Sequence, residues 1–207
     1  MLYSLNNSSL RDLKRIEKRL KEVYSITSEI LNATRNLIDF NDDETRMELS
    51  KKIEEKLTLV EILKKEIAED LLTYAIKYQP LGKDFRRVHI YLDVLYDVFR
   101  VGRYCREITL VDKYVKKLSD ESLKDLGRLL DLAREAYENS YQVLFEDCKT
   151  CGERVREIDD VVDELYLKSL KEVGSVDTLP NSAVAKVLVM RHVERIVDHV
   201  VSIVSYE

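Results

Sequence analysis

Five glycines and two prolines are spread over 207 residues. Turns, hairpins and bulges draw on these residue types, so a chain this poor in them cannot make the many short connections of a sandwich or a barrel. It is limited to a few long elements, most simply helices. The apolar share of 45% is large enough for a packed core. The 34 basic and 39 acidic residues leave a formal charge of −5, which gives no overall electrostatic reason to bind nucleic acid or an anionic membrane.

Apolar spacing then lays out six helices. The first opens at Ser9, with Asp12 three residues on, and runs through Leu13, Ile16, Leu20, Val23 and Ile30 to Leu37. Asn41, with Glu44 three residues later, caps the second, which carries Leu49 to Leu71 and stops at Gln79-Pro80-Leu81-Gly82. The third begins near Asp84 and continues past Ile108 without a distinct end. Ser119 or Asp120 caps the fourth, and a turn is expected at Lys149-Thr150-Cys151-Gly152. The fifth ends at Gly174, and the sixth starts near Ser182, after Pro180.

Sliding the sequence by 95 residues lays Val98-Phe99-Arg100-Val101 over Val193-Glu194-Arg195-Ile196 and keeps the apolar phase. The third and sixth helices therefore look equivalent, and the chain reads as two copies of a three-helix unit. The expected fold is all-α: two pseudo-symmetric antiparallel three-helix bundles, residues 1–112 and 118–207. No stretch approaches the roughly 20 apolar residues needed to span a bilayer, and the first seven residues lack the pattern of a secretory leader. The expectation is a cytoplasmic protein. Its two glutamines and absent tryptophan lean toward a thermophilic source.

Acidic residues gather on the last two helices. Glu194 and Asp198 are one turn apart on one face, and the fifth helix holds Asp159, Asp160, Asp163 and Glu164. Carboxylates so placed repel unless a cation lies between them. A hard or borderline metal ion bound by oxygen ligands would serve. So would a solvated face neutralised by Arg191, Arg195 or Lys186. Cys148 and Cys151 form a C-x-x-C pair without the second pair that a zinc site needs, which leaves a structural or incidental role or a labile disulfide. His89, His192 and His199 are isolated along the chain. There is no phosphate-binding glycine loop, no nucleophile elbow and no H-E-x-x-H.

The run Met190-Arg191-His192-Val193-Glu194-Arg195-Ile196-Val197-Asp198-His199 resembles the end of the PhoU family of phosphate-uptake regulators, whose last helix reads R-x-L-E-R-I-x-D-H. Asp160-Val161-Val162-Asp163-Glu164-Leu165-Tyr166 resembles the family's fifth helix, and Leu92 to Ile108 the matching helix of the first half. The resemblance implies a non-enzymatic regulator of phosphate transport and homeostasis. Its partners would be a phosphate ABC transporter ATPase subunit or a phosphate-sensing signalling protein, and a homodimer is compatible with the commonness of symmetric oligomers. It further implies a divalent or ferric ion (Fe, Zn, Mn or Mg) held in the second half by Asp160, Asp163, Glu194 and Asp198. In the first half Phe99 and Arg103 replace the two acids of the third helix, Thr58 stands opposite Asp160, Lys64 is nearby and Glu61 remains, so that site is expected to be dead. A generic helical scaffold with decayed metal sites is the alternative, and a metal-dependent hydrolase a remoter one.

Overall fold

The computed structural model describes residues 7–206; the first six residues, where no leader is expected, and Glu207 lie outside the described set. Six α-helices carry the described chain: α1 (Asn7–Asn36), α2 (Asp43–Tyr78), α3 (Lys83–Tyr114), α4 (Asp125–Glu146), α5 (Lys149–Gly174) and α6 (Asn181–Ser205). One 3-10 turn, Glu121–Leu123, precedes α4. No strand occurs among the described residues.

The helices α1, α2 and α3 pack on one another, as do α4, α5 and α6, and the groups join along α3–α6 and α1–α4. α3 is central because it buries more than one stripe, including Val94, Leu95, Val98, Val101, Cys105 and Ile108. Its neighbour α6 does likewise with Val189, Val193, Ile196, Val197 and Val200. Side chains from both groups form a single continuous core. At the α3–α6 seam, His199 Nδ1 lies 2.7 Å from Asp97 Oδ1, and the Tyr206 hydroxyl donates to Asp97 Oδ2 at 3.0 Å. Across α1–α4, the Tyr24 and Tyr137 rings stack at 4.9 Å and the Tyr137 hydroxyl donates to the Tyr24 carbonyl.

Several boundaries differ from the sequence reading. Ser9 caps nothing: it is buried inside α1 and bonds the Tyr74 hydroxyl at 2.8 Å, while Asp12 accepts from Tyr78. The cap of α2 is Asp42, one residue after Asn41, because its carboxylate accepts from the Thr45 amide. The end of α3, which the spacing leaves open, falls at Tyr114. Asp120 caps the 3-10 turn rather than α4 itself. The expected turn at 149–152 is instead the first turn of α5; the chain reverses at Asp147, which takes a left-handed conformation, and Cys148 is the cap. Cys148 and Cys151 are joined as a disulfide.

The α2–α3 hairpin follows its breakers. Gln79 is left-handed at φ 45°, Pro80 follows it, and Gly82 at φ 58° starts α3 in a conformation that favours glycine. Gly102 serves a different need. A Cβ there would stand 3.2 Å from Leu57 Cδ1, so glycine lets α3 lie close against α2.

The first junctions of the two halves carry different linkages beside them. After α1, Arg46 is buried and donates to the Leu37 and Phe40 carbonyls at 2.6 and 2.5 Å while pairing with the buried Asp112. Asp112 also accepts the Leu118 amide, so this one ion pair ties the α1–α2 turn to the start of the inter-half linker. Cys148 stands 102 residues after Arg46, and there the disulfide ties the cap of α5 to its own first turn.

Candidate functional site: a carboxylate cluster between α5 and α6

Helix geometry selects which acids meet. Asp159 and Asp163 are four apart on α5 and share a face, and Asp198 projects from α6 toward them. One carboxylate oxygen from each of these three lies within 4.8 Å of the others. Asp160, one position round the helix from Asp159, is exposed and outside this trio. Glu194 is almost fully buried and held by two guanidinium groups. Arg191 Nη1 lies 2.7 Å from both its oxygens, and Arg195 donates through Nε at 2.8 Å and Nη2 at 2.7 Å. Arg195 also reaches Asp198 at 2.8 Å. Of the four acids implied by the resemblance, Asp163 and Asp198 come together; Asp160 faces solvent and Glu194 is spent on arginines.

The electrostatics of the trio are unfavourable without a cation. Burial, then Asp163 and Asp198, push the Asp159 carboxyl up to about 6. Burial and the adjacent Glu194 also raise Asp198, against the pull of Arg195. Asp159 Oδ1 is buried and has no hydrogen-bond partner. An orphaned buried oxygen facing two further carboxylates fits a hard cation. The donors are all oxygen, which suits Mg, Mn or ferric iron better than the nitrogen- and sulfur-seeking zinc.

The matching place in the first half can be located by two mirrored contacts. Lys64 Nζ sits 5.7 Å from the Tyr96 ring centre, and Arg191 lies 5.6 Å from that of Tyr166. Lys64 and Tyr166 are 102 positions apart, Tyr96 and Arg191 are 95 apart, so cation and ring have changed helices between the repeats. The same offsets place Leu57, Glu61 and Arg103 opposite Asp159, Asp163 and Asp198. Leu57 is buried in the core, Glu61 is paired with Lys65 at 2.9 Å, and Arg103 is exposed. Lys64 itself rests 4.5 Å above the Phe99 ring, and burial pulls its ammonium below the usual lysine range. Where the second half carries three acids, the first keeps one, Glu61, beside the apolar Leu57 and the cations Arg103 and Lys64.

Sequence reasoning noted Asp159 among the acids of α5 without singling it out. The i, i+4 spacing to Asp163 was the feature that distinguishes it from Asp160.

These features define an all-helical protein of two repeated three-helix units, with a three-carboxylate cluster found on one unit among the described residues. The PhoU domain matches twice, over residues 20–110 and 126–206, and the chain belongs to the PhoU family. It is 23% identical over 201 residues to the Synechocystis "Phosphate-specific transport system accessory protein PhoU homolog", covering 94% of this chain and 88% of that one. It is also 23% identical to "Phosphate-specific transport system accessory protein PhoU homolog 1" of Thermotoga maritima, covering 91% and 82%. Its fold matches the crystal structure of PhoU from Pseudomonas aeruginosa with a TM-score of 0.82 over 95% of both chains, at 16% identity.

Proposed function

We propose that this protein is a non-catalytic accessory of phosphate transport, acting on the cytoplasmic face by contact with a transporter ATPase subunit or a phosphate-sensing protein. The observation that carries the reading is the double PhoU match over both halves, shared with relatives named as accessory proteins of phosphate-specific transport systems. The acids of the second half support a binding role. Asp159, Asp163 and Asp198 would hold one hard cation between α5 and α6. Such an ion would supply positive charge that cross-links two helices and neutralises a self-repelling face. Arg195 positions Asp198, and the pair of arginines on Glu194 keeps that carboxylate out of the ligand set.

The test is deletion of the gene followed by phosphate uptake in phosphate-rich medium. Loss of restraint on uptake is expected, restored by the intact gene. Unchanged uptake would overturn the phosphate reading.

A further inference from the structure

The overall charge of −5 conceals local basic places, one of them at a hairpin apex. Between Leu72 and His89, around the apex of the α2–α3 hairpin, Lys77, Lys83, Arg86 and Arg87 face a single acid, Asp84. The same apex holds the two most exposed large apolar side chains of the described protein, Leu81 at 79% and Ile76 at 78%, with Leu72 and Phe85 also exposed. Leu72 and Ile76 are one turn apart on α2, and Leu81 and Phe85 flank Gly82 at the entry to α3. Gln79, Pro80 and Gly82 give the apex a defined backbone rather than a long loop. Lys77 reaches Asp12 at 3.3 Å and Arg86 donates to the Tyr206 carbonyl at 3.2 Å; neither Lys83 nor Arg87 forms an ion pair among the described residues.

Other exposed apolar groups lack this combination. At the start of α2 and the end of α3, Met47 and Tyr114 are nearly as exposed, but there Asp43, Glu44, Glu48 and Glu54 balance Lys51, Lys113 and Lys117. At the repeat-related α5–α6 hairpin, Val176 and Leu179 flank Asp177, with Glu172 one turn earlier. Neither of these two places joins side chains as exposed as Ile76 and Leu81 to a net excess of cations at a helix hairpin.

We propose that the α2–α3 apex docks on an anionic phospholipid bilayer, with Ile76, Leu81 and Phe85 entering the interface and Lys83, Arg86 and Arg87 lying at headgroup level. Charge complementarity argues for this occupant. Apolar groups alone would suit any oily groove, whereas apolar groups ringed by cations fit a surface whose polar layer is anionic and whose interior is hydrocarbon. The attraction acts locally because charges farther away than about 8–10 Å are screened at physiological salt, so the acids elsewhere on the molecule do not cancel it. The inference does not depend on the phosphate reading.

Co-sedimentation of the full chain with vesicles tests it, using equimolar phosphatidylglycerol and phosphatidylcholine against pure phosphatidylcholine. Binding to the anionic vesicles alone is expected, weakened by added salt. Leu81→Ser/Phe85→Ser and Lys83→Glu/Arg87→Glu should each lower it by about tenfold or more, with the helical circular dichroism unchanged. Met47→Ser/Tyr114→Ser should leave it intact. Equal binding to both vesicle types, or retention in either apex variant, would overturn the proposal. Binding to neither would also overturn it, in favour of an acidic protein segment as the occupant.

Discussion

The two halves of this chain share a three-helix frame and differ in charge at the same place. Where α5 and α6 bring Asp159, Asp163 and Asp198 together, α2 and α3 offer Leu57, Glu61 and Arg103, with Lys64 resting on Phe99. A duplicated frame therefore preserves packing positions far more strictly than surface charge. The apolar phase must be kept or the shared core fails, while a carboxylate at the rim can become a cation without disturbing the helices. The halves also differ beside their first junction, which carries a buried ion pair at Arg46–Asp112 in one and a disulfide within the start of α5 at Cys148–Cys151 in the other.

Each difference can be tested. The largest effect belongs to the ion pair. Arg46→Ala should cost about 3–5 kcal/mol, because it leaves the Asp112 carboxylate buried and uncompensated. Urea unfolding would read this, and a loss within about 0.5 kcal/mol, typical of a surface change, would show that the junction is not fastened there. Next comes Gly102→Val, which installs the residue that the second half carries as Val197. It should cost about 1–3 kcal/mol by overpacking against Leu57 and Ile30. A neutral result in the same experiment would mean that the two halves have interchangeable helix spacing.

The acids provide a pH test of metal-free protein. Asp159 is raised from its ordinary 3.8 to about 6 in the folded state. Between those values the native protein holds a proton that the unfolded chain releases, so stability falls as pH rises through the window and levels off above it. Allowing for solvent screening, the contribution is about 1 kcal/mol. Melting temperatures at pH 5 and pH 7 would show it as a difference that shrinks in Asp159→Asn; an unchanged difference would remove Asp159 as its source. The smallest effect is expected in the first half. Lys64→Ala should cost about 0.5–1 kcal/mol through its lost contact with Phe99 and leave metal binding untouched.

Most of the fold was legible because the breakers at Pro80, Gly82, Gly174 and Pro180 fall at or beside helix ends, and the apolar phase holds between them. Caps were less so. Whether Asn41 or Asp42 receives the Thr45 amide depends on a backbone turn that spacing does not specify. The carboxylate cluster was half visible. Helical spacing marks Asp159 and Asp163 as one face, but nothing in sequence says that Arg191 and Arg195 both turn onto Glu194. The seam between His199 and Asp97 joins positions 102 residues apart, which no local pattern reveals. The basic, apolar hairpin apex was hidden by the whole-chain charge, since a sum over 207 residues erases a patch of eighteen.

The central claim is that this duplicated protein keeps a cation site in one half only. Calorimetric titration of the metal-stripped full chain with Mn2+ tests it most directly. The account predicts one site per chain, abolished in Asp159→Ala/Asp198→Ala and unchanged in Glu61→Ala. Two sites, or a single site that survives the double substitution or disappears with Glu61, would contradict it.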